Sequence, residues 1–459
     1  MAKRSLKIAL EKKGDLSATS DVSEKPSSSH DVKPKERLRW VDAAKAISMI
    51  AIIMGHVAPW FWDGTPASYL PYARGICTFV YSFHVPLFFL LSGYTMSSGI
   101  MGPRKIGKLF IRTFIPYIVT GALTIIYCMA VLPDQDLLEW LAALVYGAGL
   151  YRGELVWSDP FGAVAIGAIW FLPALFIGKV ISSFISRLPG AIRVLIVGVL
   201  FGIGEVTAGI LFLPFDIQQG LCASFFITCG MMLKEQKAFE SVGVRRVVLT
   251  VCATIGVGYT AAMLFIVMYN PVYTNSLYPN GILDALGTVC ASIAVIAVAQ
   301  VMGSLNNPIE KALEVFGRST LPIFCFHSIM MATGTNNNII INQICEDGMD
   351  PNIVFVLALF ICIAIPILLS MLCRVVPGLR HVYYPGKGLF FKKKTGNAAH
   401  KQKSETRTKE NSDVAVSKKA FEKKPEKKPA LHIDESKVQT KVKTPEIELH
   451  IDKNLGKKN

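Results

Sequence analysis

Long apolar runs are the feature that most limits what this chain can fold into. Between Val41 and Cys373, apolar runs with few charges recur along the sequence. They are roughly 17–23 residues long, the length that crosses a hydrocarbon core of ~30 Å as a helix. Inside hydrocarbon every backbone amide must bond within its own segment, so such runs must be helical. The sequence therefore predicts an all-α, polytopic integral membrane protein.

The apolar runs predict about ten transmembrane helices, with ends placed to within a few residues. The run 137–150 is too short to cross and contains Glu139, so we expect an interfacial or re-entrant piece there. The predicted spans are 41–58, 76–98, 110–132, 166–185, 192–212, 217–233, 247–268, 282–302, 319–335 and 353–373.

Lys and Arg in the connections predict the orientation. If the N-terminal segment is cytoplasmic, the four cytoplasmic connections hold thirteen of these residues and the five outer connections hold only Arg74 and Arg152. An excess of Lys and Arg on the cytoplasmic side is the rule for membrane proteins. We therefore expect both termini in the cytoplasm. The thirteen are Arg104, Lys105, Lys108, Arg112, Lys179, Arg187, Arg193, Lys234, Lys237, Arg245, Arg246, Lys311 and Arg318.

The two ends of the chain differ from its apolar middle. Residues 1–37 are rich in Lys, Ser and Glu, which predicts a disordered cytoplasmic tail before a membrane domain at 38–380. Residues 381–459 form a basic, low-complexity cytoplasmic tail that contains Leu-His-Ile-Asp twice. Its residues Lys392, Lys393 and Lys394 would each attract anionic membrane lipid by about 1 kcal/mol. The more distal tail is expected to be solvated.

Charge and cysteine content exclude two classes of function. The net charge of +15 lies in tails and short connections, and no base-reading motif accompanies it, so we expect no nucleic acid partner. The ten cysteines lie almost all within apolar runs and form no CxxC pair. They are interpreted as buried apolar side chains, with neither disulfides nor a metal site expected.

Polar side chains within predicted spans are costly in lipid and usually functional. Lys45 and His56 are eleven residues apart on the first span, about 16 Å along a helix and within about 20° of the same face. Asp42 precedes Lys45 by three residues and can pair with it. His56 is therefore either a catalytic group or an interfacial histidine that faces water.

His84 lies within the second span, two residues before Pro86. A proline frees a backbone carbonyl one turn earlier, and a histidine or a water molecule can bond to that carbonyl. His84 is therefore either a structural residue at a helix break or a second catalytic group.

Basic residues cluster where the third span begins, at Arg104, Lys105, Lys108 and Arg112. Lys108 and Arg112 are four residues apart and share a helix face. Topology alone places positive charge at this position. The functional alternative is a site for an anionic cytoplasmic ligand, such as the phosphates of a coenzyme.

Three further polar residues lie within the spans. Trp170, at the outer end of the fourth span, is expected to be an interface aromatic. Glu205 in the fifth span has no Lys or Arg in its own span, so it needs a partner from another helix or a proton. His327 in the ninth span is either structural or functional.

The polar residues lie in five segments along the chain. They are Trp-Val-Asp-Ala-Ala-Lys at 40–45 with Gly55-His56, Phe-His-Val-Pro-Leu-Phe-Phe-Leu-Leu-Ser-Gly at 83–93, Arg112 with Ile-Pro-Tyr at 115–117, Ile-Trp-Phe-Leu-Pro-Ala-Leu-Phe at 169–176, and Gly-Arg-Ser-Thr-Leu at 317–321 with His327. Taken in order, these segments resemble the signatures of the acyltransferase type 3 family, and most closely those of its fucose-acetylase-like members. The resemblance covers about residues 38–380.

The resemblance implies a ten-helix O-acyltransferase of the bacterial cytoplasmic membrane. Such enzymes move an acyl group, usually acetyl from cytoplasmic acetyl-CoA, to a hydroxyl of an envelope or exported saccharide, and no metal is expected. Lys45 stands where many members have Arg, and it offers a point charge in place of two parallel bonds. The implied site comprises catalytic His56 and His84, donor-binding Lys45, Lys105, Lys108 and Arg112, and supporting Asp42, Trp170, Glu205, Ser319 and His327.

Two functions from other classes remain as alternatives. A transporter or flippase for an envelope precursor would also place polar residues within spans. Transporters often show internal repeats with paired broken helices, and the two halves of this sequence show no such duplication. A non-catalytic scaffold for an envelope assembly is the third interpretation, and it requires both His56 and His84 to be dispensable.

Overall fold

A computed structural model describes residues 38–384 apart from 63–65, 134, 148–165, 211–212, 268–270 and 306. Residues 1–37 and 385–459 lie outside this part, and with them the Leu-His-Ile-Asp repeat and the predicted lipid contacts of Lys392, Lys393 and Lys394. The described residues form helices joined by turns, with no β-strand among them. The prediction of an all-α polytopic membrane protein is confirmed.

The helices follow one another along the chain with mostly short connections. They are α1 (Arg39–Val57), α2 (Ala73–Tyr81), α3 (His84–Tyr94), α4 (Pro103–Val131), α5 (Leu137–Tyr146), α6 (Phe171–Ile185), α7 (Gly190–Ala208), α8 (Ile217–Glu235), α9 (Val242–Ala262), α10 (Ile282–Met302), α11 (Pro308–Gly317), α12 (Thr320–Met331), α13 (Gly334–Glu346), α14 (Pro351–Val375) and α15 (Pro377–Tyr383). Short 3-10 turns at Ala58–Phe61, Ala168–Trp170, Pro214–Asp216 and Tyr273–Asn275 link some of them.

Eight helical segments in the described part are long and apolar enough to cross a membrane, so two of the ten predicted spans differ from expectation. The predicted span 319–335 is α12, whose 12 residues cover about 18 Å and are too few to cross alone. The predicted span 217–233 is α8, a 19-residue helix outside the eight. The eight are Arg39–Phe61, Ala73–Tyr94, Pro103–Val131, Ala168–Ile185, Gly190–Ala208, Val242–Val267, Ile282–Met302 and Pro351–Val375.

Helix α8 carries polar side chains, and some of them bond to helix α6. The hydroxyls of Ser182 and Thr228 lie 3.0 Å apart, and Ser182 also donates to the Ser224 carbonyl across 3.3 Å. Both contacts join α6 to α8 and are buried. Hydrogen bonds between helices of this kind hold membrane bundles together where the hydrophobic effect does not.

Helix α1 runs through the centre of the bundle. In its most apolar stretch 72% of the residues are buried inside the protein. The corresponding value for α9 is 11%, so α9 lies at the outside of the bundle. It contacts α2, α3, α10, α11, α12 and α14. Its sequence explains this position, because Asp42, Lys45 and His56 would be costly against lipid.

The predicted second span, 76–98, was expected to be one helix, and the structure breaks it between α2 and α3. Pro86 is the physical reason, because its ring has no N–H to donate and would clash with the carbonyl of Ser82, four residues earlier. Phe83 takes the non-helical φ of −148° at the break. His84 is therefore the first residue of α3 and does not lie within a continuous helix.

Glycines allow α3 and α8 to approach closely. A Cβ on Gly93 would overlap the backbone oxygen of Ile227, and a Cβ on Gly230 would overlap that of Leu90. Two backbones in direct contact leave no room for adjustment by a flexible side chain. This contact holds α3, which begins with His84, in a fixed position.

We expect Gly93→Ala to lower the free energy of unfolding by about 1–3 kcal/mol, because the added methyl group forces two helix backbones apart. Gly198→Ala is the matched control, since a Cβ at Gly198 meets nothing within 4 Å. Thermal unfolding of the purified protein in detergent measures both. Equal midpoints for the two variants would contradict the close α3–α8 contact.

Candidate active site

A cavity of about 310 Å³ lies within the bundle, between α1, α3, α4, α6 and α12. Each helix contributes residues three, four or seven apart, which share one helix face. The stripe on α1 consists of Lys45, Ile52 and His56. The predicted shared face of Lys45 and His56 is therefore found, and it is turned into the protein.

Three cations from three helices line the basic part of this cavity. They are Lys45 of α1, Arg112 of α4 and Lys179 of α6. No Asp or Glu occurs among the described residues that line the cavity. A wall with this charge suits an anionic ligand.

His84 lines the same cavity, and a hydrogen bond determines which of its nitrogens is available. Its Nδ1 lies 2.8 Å from the carbonyl oxygen of Val80, at the end of α2. A carbonyl can only accept, so Nδ1 carries the proton and Nε2 is left as an acceptor. Tyr81 and Tyr273 pack edge-on against the ring, with centroids 4.6 Å and 5.8 Å away. A bond to a carbonyl at the helix break is thus present, but it goes to Val80 and not to Ser82, whose carbonyl Pro86 frees, and His84 also faces the cavity.

His56 is held by a second histidine. Its Nδ1 lies 3.0 Å from Nε2 of His327, and the two rings stack with centroids 5.3 Å apart. His56 lines the cavity, whereas His327 is fully buried behind it and does not. His56 thus lines a cavity inside the bundle, which does not fit the alternative of an interfacial histidine, and its catalytic role stays a prediction.

Aromatic side chains form much of the remaining wall, and Trp170 is one of them. It is only 4% exposed and packs edge-on against Phe171. Its expected place as an aromatic at the membrane interface is therefore wrong. The 3-10 turn at Ala168–Trp170 directs the indole inward, and Phe88 and Phe324 extend the same apolar surface.

The predicted donor-binding residues separate into two groups. Lys45 and Arg112 line the cavity, and Lys105 and Lys108 do not. Lys105 and Lys108 are exposed on the first turns of α4, before Arg112. Arg112 is itself exposed while lining the cavity, which places the basic part of the wall at the protein surface.

Two supporting residues lie where α1, α11, α12 and α14 meet. The Oδ2 atom of buried Asp42 lies 3.9 Å from Nε of Arg318, and the Ser319 hydroxyl accepts a hydrogen bond from Arg374. Neither Asp42 nor Ser319 lines the cavity. Their contacts hold the ends of helices together, and the predicted pairing of Asp42 with Lys45 stays a prediction.

Glu205 lies apart from the cavity. Its carboxylate accepts a hydrogen bond from the backbone N–H of Tyr278, in the connection between α9 and α10. This partner belongs to a connecting segment and not to another helix, and the alternative of a bound proton stays a prediction.

The wall residues that the sequence analysis does not identify as site residues include Lys179, Tyr81 and Tyr273. Lys179 was counted as a loop charge, and the structure places it on α6. Its position within an apolar run was a signal that the rule for polar residues in spans would have identified. Tyr81 and Tyr273 carried no such signal. Tyr273 reaches the wall from a connection, where its hydroxyl donates to the Tyr81 carbonyl across 2.5 Å.

Comparison with known families gives one match. Residues 38–371 match the acyltransferase domain family, a range that contains every residue lining the cavity. Comparison with the curated proteins and with the solved structures finds no match. The family match covers most of the chain and agrees with the membrane-length helices. This protein therefore belongs to the acyltransferase type 3 family and is a multi-pass membrane acyltransferase.

Proposed function

We propose that this protein moves an acyl group, acetyl in the first instance, from cytoplasmic acyl-CoA to a hydroxyl of an envelope or exported saccharide. One observation carries the proposal: a single cavity is lined by three cations and by two histidines. The cations suit the phosphates of the donor, and the histidines suit proton transfer at a hydroxyl. Both are required for O-acyl transfer from a coenzyme thioester.

The donor would enter with its phosphates at Lys45, Arg112 and Lys179. Charge-assisted bonds between such cations and phosphate oxygens are among the strongest hydrogen bonds in proteins. The coenzyme's long apolar arm would lie along the aromatic wall toward His56. Lys105 and Lys108, outside the cavity on α4, would meet the phosphate nearest the adenosine.

His56 would act as the general base. Its Nε2 takes the proton from the acceptor hydroxyl while the oxygen attacks the thioester carbonyl, and the carbon–sulfur bond then breaks. The thiolate takes that proton back from the imidazolium, so the products are an ester and the free thiol. A positioned base contributes about 10²–10⁴-fold to such a step. His84, with Nε2 as an acceptor in the same cavity, would hold the incoming hydroxyl.

The orientation follows from the charges. Basic residues lie at the end of the cavity that holds Lys45 and Arg112, and this end would face the cytoplasm. His56 lies about 16 Å further along α1, toward the opposite side. We place the protein in the bacterial cytoplasmic membrane, with both termini in the cytoplasm, in the fucose-acetylase-like branch of the family.

The decisive experiment uses acetyl-CoA, with water as the acceptor of the acetyl group, and the purified protein in detergent or nanodiscs, where no ion gradient exists. We expect release of the free thiol, and we expect His56→Ala to lower its turnover number by about 10²–10⁴-fold. His381→Ala, at a histidine outside the cavity on α15, is the matched control. Equal turnover in His56→Ala and the wild type would contradict the proposal, and a transporter would release no thiol.

Removing a cation tests the donor site. We expect Lys179→Gln and Arg112→Ala to raise KM for acetyl-CoA about tenfold or more, because each loses a charge-assisted bond worth about 1.5–3 kcal/mol. KM for S-acetyl-pantetheine should change by less than about twofold. This donor has no phosphates, so it makes no bond that either substitution could remove. Arg246→Gln, at an exposed cation on α9, is the control. A similar rise with both donors would contradict phosphate binding by these residues.

Two substitutions separate the roles of the two nitrogens of His84. An Asn amide reaches the position of Nδ1 and can still donate to the Val80 carbonyl, but it leaves the position of Nε2 empty. We expect His84→Asn to unfold within about 1 kcal/mol of the wild type and to show a raised KM for the saccharide acceptor. His84→Phe, which loses both contacts, should be less stable. Wild-type acceptor kinetics in His84→Asn would leave His84 with a structural role alone.

A further inference from the structure

We infer that His327 is a positioning residue that keeps His56 in the tautomer able to act as a base. The inference rests on the proposed function and concerns a residue that does not itself touch the substrate. His327 is 0% exposed and lies behind His56, so it can influence the reaction only through that ring.

The 3.0 Å contact between His56 Nδ1 and His327 Nε2 allows two arrangements. A neutral imidazole has one N–H and one bare nitrogen, so a single proton lies between the two rings. If His56 donates that proton from Nδ1, its Nε2 is bare and can accept a proton from a hydroxyl. If His327 donates, His56 carries its own proton on Nε2 and cannot act as a base. Only the first arrangement is productive.

Proton uptake favours the productive arrangement. Once Nε2 of His56 takes the proton, both of its nitrogens carry hydrogen, and Nδ1–H must donate to an acceptor. Nε2 of neutral His327 is that acceptor, and the bond becomes charge-assisted and therefore stronger. A carboxylate could serve in the same way, but it would add a permanent charge inside the membrane domain. A neutral imidazole stabilises the cation only when it forms.

The rest of the His327 ring supports this role. Its Nδ1 is buried and has no hydrogen-bond partner among the described residues. A histidine kept for structure alone is expected to satisfy both nitrogens, because an unpaired buried polar atom costs stability. The bond to His56 is the hydrogen bond that this ring makes. Short helix α12 holds the ring in place by packing against α1, α4 and α14.

Two amides of different reach test the inference. A Gln side chain extends to the position of Nε2 and offers an oxygen to His56 Nδ1–H, whereas the shorter Asn does not. We expect His327→Gln to keep the turnover number of acetyl-CoA within about tenfold of the wild type. In His327→Asn and His327→Leu the turnover number should fall about 10-fold further. This loss is part of the about 10²–10⁴-fold that a positioned base contributes to the rate. KM for acetyl-CoA should change by less than about twofold in all three variants, a change of under about 0.4 kcal/mol.

Stability measurements separate positioning from folding. His327→Leu removes the unpaired Nδ1, which favours folding, and leaves Nδ1 of His56 without its partner, which disfavours it. These effects oppose each other, so the unfolding midpoint should stay near that of the wild type. Ser328→Ala, at the neighbouring buried residue, is the packing control and should keep full turnover. ¹⁵N NMR of the imidazoles, with His56→Ala used to assign the His56 signals, should show Nδ1 protonated in the wild type and in His327→Gln.

The outcomes distinguish this inference from the proposed function. Loss of turnover in His56→Ala together with wild-type turnover in a folded His327→Leu would overturn the positioning role and leave the base intact. Equal losses in His327→Gln and His327→Asn, with both folded, would also overturn it. Wild-type turnover in His56→Ala would instead reject the proposed function itself.

Discussion

The cost of placing charge and imidazole in a membrane is the constraint on which this structure depends. Helix α1 carries Asp42, Lys45 and His56, and no orientation against lipid would satisfy all three. The helix is therefore surrounded by six others, Lys45 and His56 face an internal cavity, and Asp42 lies near Arg318. More apolar helices such as α9 lie at the outside, and only 11% of the residues in the most apolar stretch of α9 are buried.

The same constraint explains how the site is assembled from separate elements. Pro86 breaks the second span, and the break lets His84 bond to a carbonyl at the end of α2 while facing the cavity. Short α12 places His327 behind His56, where each histidine gives the other a partner. Glycine contacts between α3 and α8 fix the distance between these two helices and so the position of α3 in the cavity wall. Polar groups that would be costly singly are held in pairs.

The sequence was sufficient for the fold class, for the apolar segments and for the shared face of Lys45 and His56, because apolar length and helical period are local properties. It was insufficient where contacts are formed between distant segments. The pairing of His56 with His327, 271 residues away, has no local signal. Trp170 was misplaced because an aromatic at a span end is equally compatible with the interface and with a buried turn. The predicted length of α12 is too great because an apolar run does not show where a helix ends.

The central claim is that one cavity brings a coenzyme thioester from the basic end to His56. A structure of the full-length protein in nanodiscs with a non-reactive acetyl-CoA analogue bound tests it most directly. The account predicts phosphate oxygens within about 3 Å of Lys179 and Arg112, and the carbonyl carbon of the analogue beside Nε2 of His56. An analogue bound elsewhere, or one whose acyl group lies away from both histidines, would contradict it.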